Sequence, residues 1–137
     1  ALREAGDRLS EYGREAVSFE SSYSYGGIAY NAGPTTAIFR LPARNASGDI
    51  ISGAFDFAIV SASSTVPSRL ELLVDADPSS ARPERNLLLT DRLTTLIFTY
   101  DNANVTLAGK VTYEITATAS GRTPATEKIY GEVTLRN

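Results

Sequence analysis

The chain has 137 residues, 42% of them hydrophobic, and a formal charge of −3, which is enough for one domain with its own core. Cysteine, methionine, tryptophan and histidine are absent, which excludes a disulfide framework, a thiolate metal site and chemistry that needs an imidazole base or ligand. The acidic balance argues against nucleic acid as a partner, and no apolar run approaches the ~18 residues of a membrane span.

Residues 1–16 read as a helix. Leu2, Ala5, Leu9, Tyr12 and Ala16 recur at spacings of 3, 4, 3 and 4, and Phe19 extends the series. The stripe is a narrow seam rather than the broad apolar face of a core helix. Arg3 with Asp7 and Glu4 with Arg8 are i,i+4 pairs of opposite charge, while Gly6 and Gly13 oppose the helix. A helix this short is marginal alone in water, so it needs a surface to lie on. The seam is too thin to cover a sheet. The expectation is a helical arm over 1–17 that docks on a partner through Leu2, Ala5, Leu9, Tyr12, Ala16 and Phe19, with Tyr23 and Tyr25 beside it. A single β-domain over 18–137 is then expected to stay folded when residues 1–16 are deleted.

From Val17 the composition turns to Ser, Tyr and Phe. Tyr23, Tyr25 and Tyr30 flank Gly26-Gly27, which suits two short strands or one strand with a bulge. Asn31-Ala32-Gly33-Pro34 is a turn, and 36–41 is a short strand closed by Pro42. In the next strand Ile51, Phe55, Phe57 and Ile59 share one face, and Ser52, Ala54 and Asp56 the other. Leu70, Leu72 and Val74 alternate with Arg69, Glu71 and Asp75 in another strand, before a polar connection over 75–83. Segments 87–89 and 93–100 favour strand, and Asp101-Asn102-Ala103-Asn104 turns the chain toward Val105 and Leu107.

The closing stretch, 110–136, is the most regular. Val111, Tyr113, Ile115, Ala117 and Ala119 alternate with Thr112, Glu114, Thr116 and Thr118. After the loop at 120–126, Ile129, Val133 and Leu135 face one way and Tyr130, Glu132, Thr134 and Arg136 the other. Period-2 patterning on both sides of a turn-rich loop predicts an antiparallel hairpin with one buried face. Roughly seven to nine short strands after one helix, with turns about every 8–12 residues, predict a mainly β chain folded as an antiparallel β-sandwich, Ig-like or jelly-roll-like. Its expected interior is Phe55, Phe57, Ile59, Leu70, Leu72, Phe98, Val111, Tyr113, Ile115 and Val133.

Chemistry is sparse. Asp75, Asp77 and Ser79 alternate as oxygen ligands do at the start of a calcium loop, which makes Asp75 and Asp77 the candidate metal ligands. Ser80 stands where that loop needs Gly and Asn86 where it needs a bidentate acid, and turn formation is the simpler role. No Gly-x-Ser-x-Gly elbow occurs, and nucleophile, base and oxyanion donors do not come together. The chain is expected to lack enzymatic activity and to need no cofactor. Asn45-Ala46-Ser47 and Asn104-Val105-Thr106 are glycosylation sequons in predicted loops. The tyrosine cluster suits either a platform for sugars or proteins or half-buried strand positions.

Ala1 is not a translation start as written, which leaves a removed initiator Met, a cleaved leader or an excised domain. A cleaved leader places the protein at the cell surface or outside the cell, in keeping with the sequons. A seam-bearing N-terminal helix feeding a cysteine-free β-domain with sequons resembles, in architecture, the exported part of archaeal pilin-like surface proteins. Leu2-Arg3-Glu4-Ala5 is too charged to be the hydrophobic stretch of such proteins. The expected function is a non-enzymatic structural subunit of an extracellular surface assembly (pilus, filament or envelope layer). Self-association, or binding to another surface protein, would run through the arm and the sheet edges. The alternatives are a carbohydrate- or protein-binding module and a virion capsid or decoration protein.

Overall fold

The computed structural model describes residues 2–119 and 121–135. Among these residues one helix, α1 (Arg3–Glu15), precedes ten strands: β1 (Ser18–Phe19), β2 (Ser22–Tyr25), β3 (Ile28–Asn31), β4 (Thr36–Arg44), β5 (Ile50–Ala62), β6 (Leu70–Asp75), β7 (Arg85–Thr90), β8 (Leu93–Tyr100), β9 (Lys110–Thr118) and β10 (Thr126–Thr134). The chain is mainly β, every strand pairing is antiparallel, and the helix lies at the N-terminus. One sheet has the order β1-β4-β5-β6-β7, a second the order β10-β9-β8, and β2 pairs with β3 alone.

The closing hairpin is the predicted one, in unbroken register from Thr126 opposite Thr118 to Thr134 opposite Lys110. Its apolar alternation aims Val111, Tyr113, Ile115 and Val133 into a core shared with Leu96 and Phe98 of β8 and with Phe39, Leu41, Ala58, Val60, Leu70, Leu72 and Val74 of the five-stranded sheet. Backbone bonds from Phe98 to Pro34 (2.7 Å) and from Leu93 to Ser68 (2.8 Å) tie β8 to the chain just ahead of β4 and β6. The Tyr100 hydroxyl donates to the Thr36 carbonyl at 2.8 Å.

On the β10 side the helix completes the core. Leu2, Ala5, Leu9, Tyr12, Ala16 and Phe19 belong to the same buried cluster as the strands, and α1 packs against both β10 and β4. This corrects the expectation of an arm that leaves its seam to a partner. A thin stripe suffices because the helix wedges between two strands instead of roofing a whole sheet. Its glycines fit that role. A Cβ on Gly13 would stand 2.6 Å from Val133 Cγ1, whereas one on Gly6 would be in ordinary contact, 3.6 Å from Ile129 Cδ1. Leu2 offers no side-chain cap at the helix start. Instead the Leu2 amide donates to Glu127 Oε1 of β10 at 2.8 Å, a carboxylate at the end where the helix dipole favours negative charge. The packing therefore does not divide the chain into an arm over 1–17 and a domain over 18–137.

Two local expectations also change. Strand β4 runs on through Pro42 to Arg44, with a register shift against β5 between those residues. The carbonyls of Ile38 and Arg40 accept from Glu20 and Val17 beside β1, so Pro42, two residues further along, turns its absent N–H toward a side where β1 has already ended. Strand β5 is inverted. Ala58 and Val60 face the main core, while Ile59 packs with Ile38 and Leu73 on the other side of the sheet, under Tyr23, Tyr25 and Tyr30. Phe55 and Phe57 are half-buried, and Asp56, expected on the polar face, is fully buried.

Candidate functional site

The helix-seam residues are not a free surface. Leu2, Ala5, Leu9 and Phe19 are fully buried, and Tyr12 and Ala16 nearly so. Burial pushes the Tyr12 hydroxyl above its usual pKa, with the charge of Glu11 next in size.

The tyrosine cluster folds inward. Gly26 and Gly27 take φ of 61° and 78°, the left-handed pair that a two-residue type I′ hairpin turn needs. The hairpin lays Tyr23, Tyr25 and Tyr30 onto the small cluster of Ile38, Ile59 and Leu73. The Tyr23 ring stacks on Phe57 with centroids 4.3 Å apart, and its hydroxyl donates to the Asp75 carboxylate. Burial first, and that carboxylate second, push the Tyr23 pKa well up.

Asp75 and Asp77 therefore do different things. Asp75 receives Tyr23, while Asp77 Oδ1 accepts from the Ser79 hydroxyl at 2.6 Å and the Ser79 amide at 3.0 Å. Those bonds, the hydroxyl's first, hold the exposed Asp77 carboxyl below its usual pKa. Among the described residues no three Asp, Glu, His or Cys side chains converge as metal ligands.

An ion-pair network not foreseen from the sequence anchors the 76–83 loop. Fully buried Asp56 accepts from Arg82 Nε (2.7 Å), the Ser80 hydroxyl (2.8 Å) and the Asp77 amide (2.8 Å). Arg82 also donates to Glu15 at 3.2 and 3.3 Å and to the Pro42 carbonyl at 3.1 Å, and Arg44 reaches Glu15 at 3.1 Å. Glu15 sits at the helix C-terminus, where a negative charge is disfavoured. Burial raises its pKa, but the hydrogen bonds and charges of Arg82 and then Arg44 outweigh that and hold it below the ordinary carboxylate value. The sequence signal was Asp56 itself, an acid between two phenylalanines in an otherwise apolar strand.

Both sequons lie on exposed loops. Asn45 Oδ1 accepts from the amides of Ser47 (2.9 Å) and Asp49 (3.0 Å). Asn104 Oδ1 accepts from the Thr106 amide (3.2 Å) and hydroxyl (2.7 Å).

The surface that stands out is the outer face of β8, β9 and β10. Tyr130 is 67% and Ile97 42% exposed, and they line a shallow groove with Thr99, Thr112, Glu114 and Glu132. Lys128 Nζ lies 3.3 Å from Glu114 and 5.5 Å from the Tyr130 ring centroid. A hydrogen bond to Tyr130, then one to Glu114, raises its pKa. Lys110 pairs with Glu132 at 3.8 Å. Strand β10 ends its sheet, and all its outward-facing side chains, Thr126, Lys128, Tyr130, Glu132 and Thr134, are exposed. The sequence pattern does place Tyr130, Glu132 and Thr134 away from the core, but hydrophobic alternation carries no information about which strand lies at an edge. Compared with protein-family models, with curated proteins and with solved structures, the chain matches none of them.

Proposed function

We propose that this chain is a non-enzymatic structural subunit of an extracellular surface assembly, such as a pilus, filament or envelope layer. Its body is a β-sandwich of the five- and three-stranded sheets, and its copies associate through sheet edges. Strand β10 carries this reading, as a nine-residue strand that ends its sheet and is exposed over most of its length. Edge strands of that length are ready templates for pairing and are otherwise kept short or covered. The helix seam drops out of the association surface because the chain's own core uses it. Sequons on exposed loops agree with export. Sugar binding through the tyrosines has less support, since Tyr23, Tyr25 and Tyr30 pack down onto their own sheet. Sedimentation velocity and negative-stain microscopy over a concentration series test the proposal. Regular, concentration-dependent oligomers are expected. A chain that stays monomeric at millimolar concentration, or that binds a glycan array without associating, would overturn it.

A further inference from the structure

The free edge of β10 has a polarity that can be worked out. The Leu135 amide donates to the Gly109 carbonyl at 2.8 Å and the Ala119 amide to the Ala125 carbonyl at 2.9 Å. Bonded and non-bonded pairs alternate along an antiparallel ladder, and the register between these two ends is unbroken. The odd-numbered residues of β10 therefore bond to β9. The N–H and C=O groups of Thr126, Lys128, Tyr130, Glu132 and Thr134 point away from β9, toward an edge where, among the described residues, no further strand is paired. The side chains of the same five residues stand on the outer face of the sheet and are exposed.

Read along the edge, these residues are self-complementary. We propose that β10 pairs antiparallel with β10 of a second copy about a two-fold axis through Tyr130, joining two three-stranded sheets into one continuous sheet. This rests on the subunit reading above and names its interface. In this register Tyr130 faces Tyr130, Lys128 faces Glu132 of the second copy, and Thr126 faces Thr134. The five residues opposed are the five whose backbone groups are free, so each N–H and C=O of the edge meets its counterpart. The two-fold axis makes the Lys–Glu pairing occur twice, as an isologous contact requires.

No other symmetric register does this. A shift by one residue turns the bonding groups of one strand away from the other. A shift by two sets Lys128 opposite Tyr130 or Thr134 and aligns no opposite charges. A shift by four opposes Lys128 to Lys128 or Glu132 to Glu132, and like charges directly opposite are destabilising. A lysine on an edge strand normally guards against pairing. With Glu132 four residues along, the guard admits one partner, its own copy. On the inner side α1 packs against β10, with an open groove between Ser10, Gly13 and Arg14 of the helix and residues 132–135, while the five edge-facing residues themselves stay exposed.

Charge swaps and a cysteine test this in the full chain, which has no cysteine of its own. In sedimentation equilibrium, Lys128→Glu and Glu132→Lys should each weaken the dimer by about tenfold or more. The double variant, which restores opposite charges in the same register, should recover it. Both positions are exposed, so the melting temperature of each monomer serves as the control for folding. Tyr130→Cys should form a disulfide-linked dimer on mild oxidation, because directly opposed residues of a ladder lie within disulfide reach. Leu107→Cys, exposed elsewhere, should not. Self-association that ignores both charge reversals, or cross-linking at 130 no faster than at 107, would overturn this interface and leave the subunit reading standing with another edge. A chain that is monomeric at every concentration would overturn both, leaving the edge to an extended segment of a different protein.

Discussion

Gly6 and Gly13 look alike in the sequence, each costing the helix about 1 kcal/mol relative to Ala, yet their surroundings separate them. A methyl added at Gly6 meets only ordinary contacts, so Gly6→Ala should stabilise by up to about 1 kcal/mol. At Gly13 the added carbon would lie 2.6 and 2.9 Å from the Val133 methyls. Val133 is buried and stiff about χ1, so overpacking of about 1–3 kcal/mol outweighs the gain in propensity. The melting temperatures of the two variants should move in opposite directions, and a Val133→Ala background should relieve Gly13→Ala. At Asp56 the issue is charge. Removing its partner with Arg82→Met leaves a fully buried carboxylate without its cation, at a cost of about 3–5 kcal/mol in urea unfolding. Glu15 sets a pH signature. Its folded pKa lies below the unfolded value, so its contribution is complete above that value and is lost as pH falls through the folded one. Glu15→Gln should flatten the decline of melting temperature below about pH 4.5 and leave the slope above pH 6 unchanged. An acid limb as steep as in the parent chain would show that Glu15 does not contribute there.

Among the elements, α1 decides most. Deleting residues 2–16 would strip Leu2, Leu9 and Tyr12 from a core in which they are almost wholly buried, and would free β10 and β4 of their cover. The truncated chain should bind a hydrophobic dye and lose its sharp thermal transition. Survival as a folded monomer would restore the independent arm. The closing hairpin was legible because its alternation is unbroken and only one of its faces is buried. Ile115→Ala, at a fully buried position, should cost about 2–5 kcal/mol. Strand β5 was not legible in the same way. It is central and covered on both faces, by the main core on one side and by the tyrosine hairpin on the other, so alternation of polarity marks neither side as inside. Apolar size pointed to Phe55 and Phe57, while the small Ala58 and the charged Asp56 took the deeper places. The helix seam is legible as a stripe, but period alone does not say whether the groove that receives it belongs to the same chain. The β10 edge was hidden for a related reason, since strand order is a property of the sheet.

At the scale of the whole molecule, the chain closes on itself end to end. The Leu2 amide is held by Glu127, 125 residues away, β1 pairs with β4 behind the helix, and the buried cluster draws from α1 and both larger sheets. Because one buried cluster joins α1, β10 and both larger sheets, unfolding should be a single cooperative event. Urea curves followed by far-ultraviolet circular dichroism and by tyrosine fluorescence, with no tryptophan present to dominate, should coincide. Contacts between α1 and β10 and between the two larger sheets join parts of the chain distant in sequence, so folding should take milliseconds to seconds rather than microseconds. The β2–β3 hairpin is the exception, because it rests on a small separate cluster of three buried side chains, Ile38, Ile59 and Leu73. Its amides should exchange through a local opening of lower free energy than the global one, while those of β4 and β9 exchange only by global unfolding. If instead the α1 amides exchanged as freely as the hairpin's, or the circular dichroism curve showed an early helical step, the helix would be an appendage after all and the single core would have to be abandoned.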